Sequence, residues 1–234
     1  MDFSVKIEGF IDVLVNKGGY KDVLLGLRNT MIIAVSGLVI GVIIGTLIAL
    51  VKVVPKKGGV LKVLQKISGV YVGFFRGTPL VVQLLLGYYV LFPIIGIKIQ
   101  PLTACVIIFG MNSGAYVSEI MRSGILSVDS GQSEAGFALG LNYKLTMLKI
   151  VIPQAVKNIL PTVGNEFISL VKETSIVSFV SAVDLYKAFR SIAAANYEYM
   201  VPYICMAIIY MVLVLVIAAL IKLMEKRLRA SDKR

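Results

Sequence analysis

Long apolar stretches separated by short polar ones limit what this chain can fold into. The stretch from Met31 to Val54 carries a single charge, Lys52, close to its end. A helix needs about 20 mostly apolar residues to cross roughly 30 Å of hydrocarbon, so this stretch can span a bilayer. Of the whole chain, 58% is hydrophobic, more than in an ordinary soluble domain. The sequence therefore predicts an all-α integral membrane protein.

Five stretches are long and apolar enough to be transmembrane helices. They lie at 31–54, 67–92, 102–121, 143–171 and 201–223. The first helix can begin earlier, near Val23, and the fourth is expected to be broken by Pro153 and Pro161. No internal repeat or linker divides the chain, so we interpret residues 1–234 as one domain.

Glycine and proline predict how these helices pack and bend. Gly37, Gly41 and Gly45 recur every four residues in the first span, which allows another helix to approach closely. In the second span Pro79 lacks an amide donor and biases the preceding residue away from helix. We therefore expect a kink near Thr78.

The net charge of +11 is concentrated beside the apolar stretches. One cluster follows the first span and another ends the chain: Lys52, Lys56, Lys57, Lys62, Lys66, and Lys222, Lys226, Arg227, Arg229, Lys233, Arg234. Such clusters mark the cytoplasmic side of a membrane and are compatible with anionic-lipid contact. This distribution argues against nucleic-acid binding.

With five spans, the charge pattern fixes an expected topology. The N-terminus lies outside and the C-terminus inside, with 93–101 and 172–200 outside and 122–143 inside. Residues 1–22 are expected to form an amphipathic segment on the outer surface. Their acidic residues do not fit a secretory signal peptide.

The residue types of enzymes and metal sites are scarce. Histidine is absent, which removes the usual zinc ligand and the usual base for a catalytic serine. Cys105 and Cys205 lie in apolar stretches, where we expect packing roles. We therefore predict neither a metal site nor a catalytic residue in this chain.

A polar stretch between the third and fourth spans predicts a short helix and a turn. It runs Glu134-Ala135-Gly136-Phe137-Ala138-Leu139-Gly140, and Ile150-Val151-Ile152-Pro153 follows. The preceding Ser127-Val128-Asp129-Ser130 contains residue types that cap helix starts. Gly140 tolerates the left-handed conformation in which helices often end. The stretch is either a simple linker or a docking element.

This spacing resembles the EAA loop of the membrane subunits of ATP-binding-cassette importers, although Gly136 replaces the more usual alanine. The resemblance implies that 128–141 is a cytoplasmic coupling loop whose short helix docks on an ATPase subunit. The residues that would dock are Glu134, Ala135, Gly136, Leu139, Gly140 and Pro153.

Three further motifs resemble the polar amino-acid uptake branch of these permeases. They are Phe75-Arg76-Gly77-Thr78-Pro79-Leu80, the run from Ala115 to Ala135, and Leu160-Pro161 with Lys172-Glu173-Thr174-Ser175. The resemblance implies a permease in a bacterial or archaeal inner membrane that imports a polar amino acid by alternating access. Its implied partners are a cytoplasmic ATP-binding subunit, a second permease chain in a homodimer or heterodimer, and an extracytoplasmic binding protein. ATP and Mg would sit on the ATPase, since this chain lacks a phosphate-binding loop.

Polar residues within the apolar stretches are the candidates for the substrate path. An amino acid needs an acid for its ammonium and donors for its carboxylate. The candidates for these roles are Thr78, Asn112, Ser113, Asn165 and Glu166. The acid among them favours a basic amino acid as substrate. Arg76, Glu119 and Arg122 are expected instead to pair structurally, Glu119 with Arg122 or with a lysine at the cytosolic end of a span.

Two other functional classes remain as alternatives. An ion-coupled secondary transporter would be expected to show two related halves, and no repeat is present. An intramembrane serine protease could use Asn112-Ser113-Gly114, but the chain has no histidine to serve as base.

Overall fold

The computed structural model describes residues 3–54 and 58–230, which are mostly helical and contain no strand. The α-helices are α1 (Phe3–Ile11), α2 (Gly19–Val53), α3 (Gly59–Gly77), α4 (Leu80–Leu86), α5 (Phe92–Ile94), α6 (Pro101–Leu126), α7 (Ser130–Ala138), α8 (Tyr143–Thr146), α9 (Ile152–Glu173), α10 (Leu185–Ala195) and α11 (Met200–Ala230). Shorter helical turns of other types lie at Asp12–Asn16, Gly87–Leu91, Met147–Val151 and Thr174–Val180. Lys56 and Lys57 of the first basic cluster and Lys233 and Arg234 of the second lie outside the described residues.

Three of the described helices, α2, α6 and α11, are long and apolar enough to cross a membrane. The pair α3 and α4–α5 also qualifies if it is taken as one bent span, with an angle of 108° at the break. The predicted fourth span is helical from Tyr143 to Glu173, but lysines, asparagines and acids make it less apolar than the others. The count of five spans therefore stays a prediction.

Proline accounts for the bend between α3 and α4, but one of the predicted proline breaks is absent from α9. α3 ends at Gly77 and α4 begins at Leu80, so the kink expected near Thr78 is confirmed. In the fourth stretch, Pro153 stands in the first turn of α9, where a missing amide costs little. Pro161 lies inside α9, which continues without interruption to Glu173. The break predicted at Pro161 is wrong.

Glycine lets α2 and α6 pack closely in both directions. A Cβ atom at Gly41 would lie 2.6 Å from Ser113 Oγ, and one at Gly45 would lie 2.7 Å from Val117 Cγ1. Reciprocally, a Cβ at Gly110 of α6 would lie 2.6 Å from Ile40. The close approach predicted for the glycines of the first span is confirmed, and α6 is the partner.

The segment before α10 is tied to α2 by buried polar groups. Asn29 Nδ2 donates to the Val183 carbonyl at 2.9 Å, and the Thr30 hydroxyl accepts from the Leu185 amide at 3.3 Å. Asp184 caps α10, since its carboxylate accepts from the amides of Tyr186 and Lys187. These bonds hold α10 against one end of α2.

Part of the segment expected to be amphipathic, α1 and the turn after it, packs on the protein. Phe10 and Val13 are buried against α10 and α11, where they meet Leu185, Phe189 and Val201. Other apolar side chains of this segment are exposed, Phe3 and Ile11 among them. The segment therefore packs one face on the protein and leaves apolar residues on the other.

Candidate functional site

The polar stretch between α6 and α9 folds as a capped helix and a tight turn. Asp129 is the N-cap of α7, and its Oδ1 accepts from the Gly131 amide at 2.7 Å. At the other end Gly140 has φ +78°, a conformation that L side chains rarely adopt. The Leu141 amide then donates to the Gly136 carbonyl at 3.1 Å and closes the turn. The helix and the glycine stop expected from the sequence are confirmed.

Most residues predicted to dock on a partner lie on exposed positions of this loop. Glu134 and Ala135 are exposed on α7, and Leu139, just past its end, is 81% exposed. Pro153 is exposed at the start of α9. Phe137 of α7 is also 48% exposed, so the loop presents two large apolar side chains on its surface.

Gly136 differs from the other predicted docking residues because it is buried on the inner face of α7. A Cβ atom there would lie 2.9 Å from Thr146 Cγ2 and 3.1 Å from Ile150 Cδ1. Gly136 therefore contacts the start of the next helical stretch and is not part of the exposed surface. Its effect on docking can only come through the position of α7.

Two glutamines fix the loop to α9: Gln132 belongs to the run from Ala115 to Ala135, and Gln154 belongs to none of the motifs. Gln154 Nε2 donates to Gln132 Oε1 at 3.1 Å and to the Ile150 carbonyl at 3.0 Å. On the other side of the turn, Asn142 Oδ1 accepts from the Leu145 amide at 3.0 Å and caps α8. On one side of Gly140, α7 is thus hydrogen-bonded to α9 through Gln132. On the other side, Asn142 caps the start of α8.

The charged residues expected to pair do so in part. Glu119 accepts from Lys52 Nζ at 2.6 Å and from Arg122 Nε at 2.9 Å, so both carboxylate oxygens are occupied. Arg76 is the exception, since it forms no ion pair among the described residues. Its guanidinium lies 5.5 Å from the centroid of the Tyr116 ring instead. Arg76 thus contacts an aromatic ring of α6 and not an acid, because the end of α3 places it beside Tyr116, about one helical turn along α6 from Glu119.

Gln83 joins the bend between α3 and α4 to α6. Its Nε2 lies within hydrogen-bond distance of the carbonyls of Phe75 and Thr78, both at 2.9 Å, and of Thr78 Oγ1 at 2.8 Å. Its Oε1 accepts from Asn112 Nδ2 at 2.9 Å. Asn112 and Thr78, which we predicted to line the substrate path, are therefore already hydrogen-bonded to the protein.

Of the predicted substrate-path residues, Ser113 and Glu166 are brought together by the fold. The Ser113 hydroxyl is buried and has no hydrogen-bond partner of normal geometry among the described residues, and the half-buried Glu166 carboxyl interacts with it. Gly41 supplies the room for this hydroxyl on the α2 side. Asn165, which directly precedes Glu166 in the sequence, lies on a different face of α9 and is exposed. The structure thus separates Asn165 from the pair.

Replacing Gln83 with leucine tests the role of this hydrogen-bonded network. Leucine removes the partner of a buried Asn112 amide, and an unsatisfied buried polar group costs about 1–3 kcal/mol. We expect the apparent unfolding temperature of the purified protein in detergent to fall by about 2–12 °C. Gln100→Leu, at an exposed position, is the matched control and should not change that temperature. An unchanged temperature for Gln83→Leu would show that the network does not stabilise the bend.

Comparison of the sequence with known proteins identifies a family and named relatives. Residues 41–230 match the family described as binding-protein-dependent transport system inner membrane component. The chain is 39% identical over 210 residues to the arginine transport system permease protein ArtQ of Bacillus subtilis (strain 168), covering 90% of this chain and 94% of that protein. It is 40% identical over 206 residues to the putative glutamine transport system permease protein GlnP of Rickettsia bellii (strain RML369-C), covering 88% and 92%.

A solved structure agrees with these sequence matches. The crystal structure of an amino acid ABC transporter with histidines matches this fold with a TM-score of 0.84 at 40% identity, covering 92% of this chain and 98% of that one. The resemblance carried by the loop and by the motifs around it is thereby confirmed. The chain belongs to the binding-protein-dependent transport system inner membrane component family and is a permease subunit of an ABC transporter.

Proposed function

We propose that this permease forms half of the membrane path of an ATP-driven importer for a polar amino acid. The observation that carries the proposal is α7 with the turn after it, where Glu134 and Leu139 are exposed and Gln132 is hydrogen-bonded to Gln154 of α9. A surface of this kind transmits motion only if it moves as a unit with the helix behind it. The hydrogen bond between Gln132 and Gln154 provides that connection from α7 to α9.

The proposed topology places five spans in a bacterial or archaeal inner membrane, with the N-terminus outside and the C-terminus inside. The helical stretch 143–173 is the fourth span in this arrangement. Although less apolar than the other spans, it packs on two of them. Gly124 of α6 approaches Ile159, and Gly164 approaches Ile221 of α11. This stretch therefore has protein contacts on two sides.

The proposed partners follow from what the chain lacks and what its surface offers. Since no phosphate-binding loop is present, ATP and Mg are held by a cytoplasmic ATP-binding subunit that docks on α7. A second permease chain, identical or related, completes the path, and an extracytoplasmic binding protein delivers the substrate. When nucleotide binding draws the ATPases together, the two α7 helices follow and the path opens outward.

The proposed substrate contact is the pair of Ser113 and Glu166. A carboxylate inside the membrane binds an ammonium or guanidinium group, and the hydroxyl beside it can donate or accept. The named relatives include arginine and glutamine permeases, and an acid at this site favours a basic amino acid. The ion-coupled alternative has no support among these relatives.

Co-purification tests the function directly. The tagged chain is extracted from its native membranes in a gentle detergent, and the proteins that accompany it are identified and counted by mass spectrometry. We expect an ATP-binding subunit at equal stoichiometry with permease chains, and the presence or absence of a second permease distinguishes heterodimer from homodimer. Recovery of an intact permease without any ATPase, after crosslinking in the membrane before extraction, would contradict the importer.

A further inference from the structure

A basic cavity lies where α2 and α6 end beside the start of α3. It has a volume of about 780 Å³, and four of its lining residues are cations. They are Lys52, Lys62, Lys66 and Arg122. No acidic side chain lines the cavity in the described part of the chain. The nearest acid is Glu119, whose two oxygens are taken by Lys52 and Arg122.

Lys62 and Lys66 are the cations of this cavity that no acid neutralises among the described residues. They are exposed, stand four residues apart on the same face of α3, and form no ion pair among the described residues. Like charges at this spacing repel each other. An anion between them would remove that repulsion, and the cavity offers the space for one.

An apolar groove continues from this cavity along α3. It has a volume of about 520 Å³, shares Lys66 with the cavity, and is lined beyond it by apolar and aromatic side chains that include Val70 and Phe74. Val70 is 68% exposed and Phe74 48% exposed. The stretch from Lys66 to Phe75 corresponds to about 13 Å of helix. A basic cavity that opens into an apolar groove matches a molecule with an anionic head and a hydrocarbon tail.

We propose that this cavity and groove bind one anionic phospholipid, with its phosphate between Lys62 and Lys66 and an acyl chain along α3. Basic pockets between membrane helices at the level of the headgroups are suited to such lipids. Gln65 lines the same cavity, and its Oε1 is buried without a hydrogen-bond partner among the described residues. A hydroxyl of a glycerol headgroup supplies the donor that this oxygen lacks. Phosphatidylglycerol satisfies all three features.

Charge argues against a second copy of this chain as the occupant of the cavity. The chain carries 24 Lys and Arg against 13 Asp and Glu, so a second copy has an excess of the same charge. A two-fold contact would also bring the same lysines of both copies to one surface. The cavity therefore needs an anionic partner, and a lipid combines that anion with a hydrocarbon tail for the groove.

Lipid titration monitored by native mass spectrometry tests the site. The full-length chain, with any subunits that co-purify, is titrated with phosphatidylglycerol and with phosphatidylcholine of identical acyl chains. Each lysine near an anionic lipid contributes about 1 kcal/mol, so we expect Lys62→Gln with Lys66→Gln to weaken phosphatidylglycerol binding about tenfold to thirtyfold. The matched control is Lys21→Gln with Lys98→Gln, which removes the same charge at exposed positions away from the cavity and should leave binding unchanged.

A second pair of variants tests the groove on the same helix. Val70→Trp fills the groove and should also weaken phosphatidylglycerol binding about tenfold. Val60→Trp, at a position that is 77% exposed and lies outside the groove, should not. Together these results would assign the head to the cavity and the tail to α3.

Three results would overturn the proposal. Equal binding of phosphatidylcholine would show that the cations select no anion. Competition by millimolar inorganic phosphate as strong as that by phosphatidylglycerol would identify a soluble anion as the ligand. A change of oligomeric mass in Val70→Trp with unchanged lipid binding would make a second copy the occupant of the groove.

Discussion

Uptake of a cationic amino acid is expected to fall at least tenfold when Glu166 is replaced by glutamine, whereas uptake of a neutral amino acid changes little. The reason is that Glu166 is the acid beside the buried Ser113 hydroxyl, and a hydrogen bond to a charged group contributes about 1.5–3 kcal/mol. Glutamine keeps the size of the side chain and removes its charge. The measurement is uptake of radiolabelled arginine and glutamine into proteoliposomes that contain the complete transporter, energised with ATP.

Glu8→Gln is the matched control for this experiment. Glu8 is exposed on α1, outside the helix that carries Glu166, and loses the same charge. It should leave the ratio of the two uptake rates unchanged. If Glu166→Gln lowered both rates equally, Glu166 would be a packing residue of α9 and the preference for a cation would have to come from elsewhere.

Replacing Gly140 with valine is expected to uncouple the permease from its ATPase. The turn after α7 holds this residue at φ +78°, although a Cβ atom added there would meet nothing within 4 Å. The penalty is therefore conformational, of about 1–2 kcal/mol or more for a β-branched residue. This penalty shifts the equilibrium toward another turn conformation by a factor of about five to thirty, and the exposed surface of α7 is displaced with the turn. We expect transport and substrate-stimulated ATP hydrolysis to fall by a similar factor.

Gly140→Asn separates backbone conformation from side-chain size. Asparagine also adds a side chain to this open position, but it adopts the left-handed conformation far more readily than valine. It should retain most of the coupled activity. Equal loss in both variants would mean that the surface itself must be free of side chains, and normal activity in both would contradict the role of the turn.

Local residue chemistry made some of this structure predictable. The bend at Thr78 follows from Pro79, and the end of α7 follows from Gly140, because each depends on a backbone preference within a few residues. The repeated glycines of α2 predicted a close helix neighbour for the same reason. That the neighbour is α6 could not be predicted, since spacing within one helix carries no information about its partner.

Side-chain partners between helices could not be predicted in this way. Gln83 is one polar residue in an apolar stretch, and only the bend brings it to Asn112. Arg76 has the charge to pair with Glu119, but Lys52 and Arg122 occupy both oxygens of that carboxylate. Gly136 belongs to the motif of the exposed loop and yet faces inward. Each outcome depends on the three-dimensional path of the chain.

The close fit of α2 to α6 has a consequence for the synthesis of the protein. The glycine face of α2 is complementary to residues such as Phe109 and Ser113, which leave the ribosome only after α3, α4 and α5 have been made. Until then the small residues of α2 face lipid in the bilayer. Any helix that can approach them closely can pack against them. Correct assembly therefore depends on keeping foreign helices away from α2 during translation. A chain truncated before α6 should consequently be retained by membrane insertases and degraded faster than one truncated after it.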